Sequence, residues 1–117
     1  MTIVLGASEK PHRYANMAVR RLVAQGIPVV AIGRRAGRIG GTEIHTELPN
    51  GTVAHTVTIY LSQENQAVWQ ELLLSLQPQR VIFNPGAENP AFAVQLRAAG
   101  VEVVEACTLV MLATGGY

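Results

Sequence analysis

An α/β fold with a parallel sheet between two helical layers is what this sequence predicts, on three observations. Strand-like and helix-like segments alternate from one end to the other, the pattern of parallel strands joined by helical crossovers. The strand-like runs are short and apolar on both faces, as in Thr2-Ile3-Val4-Leu5 and Val81-Ile82-Phe83, which suits strands covered on either side. Two of the runs end abruptly in tight loops, Gly6-Ala7-Ser8 and Asn84-Pro85-Gly86-Ala87-Glu88-Asn89-Pro90. In an open parallel sheet such loops gather outside the carboxyl ends of the strands, where helix N-termini present unpaired N–H groups to anionic ligands.

The elements follow in order. Ile3 to Leu5 forms the first strand. After Pro11, Ala15, Ala18, Val19 and Leu22 recur at the spacing of one helical face, and Gly26 ends that helix. Ile27 to Ile32 makes the second strand. The stretch from Gly33 to Gly51 holds five of the eleven glycines and little periodicity, so it reads as a long loop with a short extended piece near Ile44. Thr56-Val57-Thr58-Ile59-Tyr60-Leu61 is β-branched and aromatic, a third strand, and Ser62 is placed to cap the helix after it. That helix carries Val68, Leu72 and Leu76 on one face, with Trp69 and Leu73 beside them, until Pro78 stops it. Val81 to Phe83 is the fourth strand. Asn89 then caps a helix whose first position is Pro90, where the ring's fixed φ and missing N–H do no harm, and Phe92, Leu96 and Ala99 face the sheet. Val101 to Val104 is the fifth strand, and Cys107 to Ala113 a short helix stopped by Gly115 and Gly116.

Five strands joined by right-handed crossovers give a three-layer Rossmann-like domain spanning residues 1–117, with expected strand order 3-2-1-4-5. In that order the first and fourth strands are neighbours. The loops Gly6 to Pro11 and Asn84 to Asn89 then flank the crevice where the order reverses, and both meet one ligand.

The bulk composition agrees and excludes several classes. At 117 residues and 49% hydrophobic, the chain suffices for one domain with an aliphatic core, since aromatics supply only 5%. A net charge of +1, without aromatics interleaved among lysines and arginines, argues against nucleic acid. The first apolar run is too short and too soon followed by charge to be a signal peptide, and no run approaches the length that spans a bilayer. One cysteine, Cys107, points to a reducing compartment and the cytoplasm. His12, His45 and His55 are scattered without metal-site spacing, so no metal is expected.

Candidate residues cluster in the loops. Gly6 lets the backbone turn beside a ligand, the N–H groups and hydroxyl of Ser8 suit a phosphate, and Lys10 supplies a flexible positive charge, although a plain strand-to-helix turn accounts for the same residues. The second and third glycines of the dinucleotide fingerprint are absent, which weighs against NAD. Tyr14 reads either as a ligand contact or as helix packing. Gly33-Arg34-Arg35-Ala36-Gly37-Arg38 is the densest positive cluster and sits where doubly wound folds meet a nucleotide ribose, where arginine accommodates an extra phosphate, unless it is ordinary solvated surface. Pro85-Gly86 turns the chain tightly without a side chain to block a ligand. Glu88 reads as a helix-start charge rather than an acid or base. Cys107 reads as a small core residue, because no histidine is placed to activate it.

Taken together, Val4-Leu5-Gly6-Ala7-Ser8 with Pro11, Arg13 and Tyr14, then Thr56 to Leu61, then Arg80-Val81-Ile82-Phe83-Asn84-Pro85-Gly86 with Glu88-Asn89, and Glu105 to Leu112, resemble the small stand-alone CoA-binding proteins of bacteria. Those are similar to the CoA-binding domain of the succinyl-CoA synthetase alpha subunit. The resemblance implies a Rossmann-like fold that binds CoA or an acyl-CoA. It implies that Gly6, Ala7, Ser8 and Lys10 cradle phosphate, that Tyr60 and Leu61 line the nucleotide crevice, and that Asn84, Pro85 and Gly86 form its other wall. Many relatives carry Asn-Pro after the second strand, and Gly33-Arg34 stands here instead, a departure from the family pattern at the adenosine end where Arg34 or Arg35 could add a phosphate partner.

The reading that follows is a CoA or acyl-CoA binding module, non-catalytic or regulatory, since no nucleophile, base and orienting group come together in the sequence. The alternative is an NADP-dependent oxidoreductase or another nucleotide-binding enzyme module. A homodimer or a partner enzyme is compatible with the apolar residues of the last helix, which an ordinary core contact explains equally well.

Overall fold

The computed structural model describes all 117 residues. In chain order the elements are β1 (Thr2–Leu5), α1 (Tyr14–Ala24), β2 (Val29–Ile32), β3 (Gly37–Ile39), β4 (Thr42–His45), β5 (Thr56–Ile59), α2 (Gln63–Gln66), α3 (Gln70–Leu76), β6 (Arg80–Phe83), α4 (Pro90–Ala98), β7 (Glu102–Glu105) and α5 (Thr108–Thr114). One sheet takes the order β3-β4-β2-β1-β5-β6-β7, parallel throughout except for the β3–β4 hairpin. The α/β, Rossmann-like architecture with a mostly parallel sheet is therefore as the sequence predicts.

Two expectations are overturned. The sheet has seven strands rather than five, because the glycine-rich loop after β2 folds into the β3–β4 hairpin. The extended piece near Ile44 is its second strand, with Ile44 beside Ala31 of β2. The order 3-2-1-4-5 also fails. The strand at Thr56–Ile59 does not lie outside β2; it sits between β1 and β6, pairing Thr58 with Val4 on one side and with Ile82 on the other. The first and fourth predicted strands are thus separated by β5. The burial of β5 explains its central place: all four residues are covered, which an edge strand with one solvated side does not achieve.

Side-chain alternation divides the core into two layers. Ile3, Leu5, Val57, Ile59, Val81 and Phe83 point to one face, against Leu73, Phe92 and Leu96 of the helices between β5 and β7. Val4 and Ala31 point to the other, against Ala15, Val19 and Leu22 of α1 and Leu112 of α5. The α1 face is the one its spacing predicts. The helix after β5 departs from expectation. A 3-10 turn at Ala67–Trp69 interrupts it, the buried positions are Gln66 and Leu73, and Val68 is 83% exposed. The α4 cap is as expected: the Asn89 side chain accepts from the Phe92 N–H, with Pro90 at the first helical position. Its last predicted contact, Ala99, is exposed as the helix closes. No helix is long and apolar enough to cross a membrane.

Candidate functional site

The site is built at the carboxyl ends of β1, β2 and β5, on either side of the point where the chain reverses direction across the sheet. Gly6 leaves β1 with φ +103°, a conformation that side chains rarely adopt, and its N–H and that of Ala7 both donate to the Ile32 carbonyl at 2.8 Å. The turn therefore lies flat against the end of β2. From the other side, Gly33 closes on the same turn: a Cβ there would stand 2.3 Å from the Ala7 carbonyl oxygen. Buried Asn16 holds the rest of the loop, donating to the Ser8 carbonyl at 2.8 Å and accepting from Arg20 Nε at 2.8 Å, while Arg20 also reaches the Pro11 carbonyl.

These loops enclose a cavity of about 540 Å³, within the range of small-molecule sites. Its walls are Gly6, Ala7, Ser8, Glu9, Lys10 and Arg13 from the β1–α1 loop, Arg34 and Arg35 after β2, and Tyr60, Leu61, Ser62 and Asn65 after β5. Four cations face a single carboxylate. Seven of the nine lysines and arginines fall between Lys10 and Arg38, and four of those seven line the cavity. A narrower slot of about 120 Å³ shares Gly6, Arg34 and Leu61 with it and runs between Leu5, Ile32 and Trp69. A separate open groove of about 380 Å³ lies between residues 47–52 and α3 and meets the slot only at Trp69.

Tyr60 is half-buried, with its ring on the cavity wall and its hydroxyl turned inward. That oxygen is buried without a hydrogen-bond partner, while the Thr58 and Thr108 hydroxyls pair with each other at 2.7 Å and Asn84 Nδ2 donates to Thr58. Burial pushes the phenol up to about 12, against the opposing pull of Thr108 and Thr58. Tyr60 therefore stays neutral over the physiological range and is no base.

Residues 1–113 match the CoA binding domain family. The chain belongs to that family. Among solved structures this CoA binding domain is similar to an uncharacterized protein, at 42% identity and a TM-score of 0.92, covering 99% of this chain and 96% of that one. It is similar to cell-free ID.343 from Thermus thermophilus, at 25% identity and a TM-score of 0.85, covering 99% and 89%. It also shares its fold with a dinucleotide-forming acetyl-coenzyme A synthetase 1 from Ca. Korarchaeum cryptofilum, at 15% identity and a TM-score of 0.69, covering 90% of this chain and 25% of that one. No curated protein matches the chain.

Within this CoA binding domain, eight of the residues singled out from the sequence line one cavity: Gly6, Ala7, Ser8, Lys10, Arg34, Arg35, Tyr60 and Leu61. Four others are placed elsewhere. Tyr14 is 69% exposed on the outer side of α1. Asn84 is buried and turned into the core, donating to Thr58 Oγ1 and the Ile59 carbonyl and accepting from the Thr108 N–H, so it ties α5 to β5. Pro85 and Gly86 are exposed at the same edge of the sheet, but β5 separates them from β1, so the second wall comes from the β5 loop instead. Glu88 accepts from the Gly86 N–H at 2.8 Å and closes that turn, while Asn89 caps the helix.

Sequence reasoning missed Asn16, Gln66 and the Glu9 carboxylate. A polar residue inside the apolar stripe of α1 was the available signal for Asn16. Nothing local marked the other two, whose partners lie 21 and 29 residues away.

Proposed function

We propose that the chain is a single-domain binding module for coenzyme A or an acyl-CoA, non-catalytic or regulatory, that holds its ligand at the carboxyl ends of β1, β2 and β5. The observation that carries this reading is the arrangement of Lys10, Arg13, Arg34 and Arg35 around a cavity whose floor is the glycine turn at Gly6. CoA presents a diphosphate and a phosphorylated ribose, and separated cations of this kind suit both at once. The family supports the same ligand. The polar groups beside the cations are already engaged in loop structure: Ser8 Oγ accepts from the Lys10 N–H at 3.2 Å and Glu9 from the Arg38 N–H at 3.0 Å. That favours holding over chemistry. In this reading the Gly6-Ala7-Ser8 turn, its first two amides held by Ile32, cradles the diphosphate by letting it approach closely while Lys10 supplies the charge, Arg34 and Arg35 meet the ribose phosphate, and Tyr60 and Leu61 line the crevice.

Trp69 is the chain's one tryptophan and walls the slot that opens from this cavity, which provides a direct assay. Titration with CoA, acetyl-CoA, NADPH and ATP should change indole fluorescence saturably with the CoA compounds, and Lys10→Ala should weaken their binding by about tenfold, the loss of one charge-assisted contact. Saturable NADPH binding with no response to CoA selects the nicotinamide nucleotide reading and removes this one.

A further inference from the structure

Glu9 is out of place by charge, a carboxylate among four cations on the wall of an anion cavity. Its contacts explain why it is there. Glu9 Oε2 accepts from the backbone N–H of Arg38 at 3.0 Å, across 29 residues of sequence, and so fastens the β1–α1 loop to the β3–β4 hairpin. The contact is close-fitting: a Cβ on Gly37 would stand 2.4 Å from Glu9 Cδ, so the hairpin backbone lies directly on this side chain. Arg34 and Arg35 occupy the short segment between Gly33, which is seated on Ala7, and Gly37, which is seated on Glu9. Both ends of the arginine segment are therefore anchored to the loop that forms the cavity floor.

We infer that Glu9 is a specificity-positioning residue, whose bond to the Arg38 amide holds Arg34 and Arg35 at the cavity rim so that the protein selects ligands with a phosphorylated adenosine ribose over the same ligands without that phosphate. The inference rests on the CoA reading and adds to it the residue that sets discrimination. Arg34 and Arg35 are exposed, and a long cation recognises one phosphate position only when its backbone is held in place. The carboxylate does this at a cost, since its charge opposes any bound anion; the geometry gained is the compensation.

The test compares CoA with dephospho-CoA by calorimetry on the full chain. Wild type should favour CoA by about tenfold or more, as expected of a charge-assisted contact to one phosphate. Glu9→Ala should bring that ratio to within about threefold of unity while dephospho-CoA still binds, since the two arginines lose their anchor but the diphosphate site keeps Lys10 and Arg13. Glu9→Gln keeps an acceptor for the Arg38 amide and should preserve the ratio while tightening both ligands alike. Gly37→Ala, which displaces the Glu9 side chain without altering any charge, should reproduce Glu9→Ala. A ratio unchanged in Glu9→Ala and Gly37→Ala overturns the inference, as does a ratio lost equally in Glu9→Gln, which would mark a charge effect. Failure of wild type to bind CoA at all is a different result and counts against the CoA reading itself.

Discussion

The side-chain amide of Gln66 donates to the carbonyl of Ala87 at 2.6 Å, joining the end of α2 to the loop after β6 through the core. The same amide donates to the Leu61 carbonyl at 2.9 Å, and Gln66 Oε1 accepts from Asn89 Nδ2 at 3.0 Å. Gln66 is fully buried, so each partner depends on it.

Gln66→Leu keeps the volume and strands those partners. The expected loss is about 3 kcal/mol, from leaving buried polar groups unpaired. In a domain of this size that lowers the thermal midpoint by roughly 10 °C, measurable by circular dichroism. A midpoint within a degree or two of wild type would show that water replaces these bonds freely.

Tyr60 makes stability depend on alkaline pH. Its folded pKa of about 12 lies above the ordinary value of 10.0, so between the two the unfolded chain has released a proton that the folded chain retains. Stability from this source is complete below pH 10 and declines as pH rises through 12. Chemical denaturation from pH 9 to 12 should show that decline, and Tyr60→Phe should lessen it. At pH 7 the phenylalanine variant should be as stable as wild type or slightly more so, because it removes a buried hydroxyl that has no bond.

Two glycines close in sequence should respond differently to alanine. At Gly33 the new Cβ meets the Ala7 carbonyl oxygen at 2.3 Å, backbone against backbone, whereas at Gly41 it meets nothing within 4 Å. Gly33→Ala should cost about 1–3 kcal/mol in urea denaturation, and Gly41→Ala should stay within about 0.5 kcal/mol of wild type. Gly33→Ala should also weaken CoA binding, since relief of the clash requires the cavity floor to move. Equal stability of the two variants would contradict the close approach.

Much of this architecture was legible without coordinates because it rests on local signals. Ala15, Ala18, Val19 and Leu22 mark α1 by spacing alone, Asn89-Pro90 starts α4 by the chemistry of its first turn, and the abrupt end of Thr2–Leu5 at Gly6 marks the cavity floor. Of the hairpin after β2, only the second strand was legible, as the extended piece near Ile44. Its strands are three and four residues long, with Gly37 in the first and Gly40-Gly41 in the turn between them, and β4 is held by pairing with β2 rather than by its own pattern.

The sequence by itself determined the α/β class, the helices α1 and α4 and the glycine turn that ends β1, because periodicity, caps and a turn glycine act over a few residues. Only the tertiary structure decided which strand lies beside β1, and hence that Tyr60 and Leu61, rather than Pro85 and Gly86, face Gly6 across the cavity. Strand neighbours are chosen by burial of both faces and by hydrogen bonds between segments far apart in the chain. Short apolar runs such as Thr56–Ile59 and Arg80–Phe83 are nearly interchangeable as partners when read one at a time. The anchoring of the arginine segment by Glu9 has the same origin, a contact across 29 residues that exists only once β2, β3 and β4 are in place.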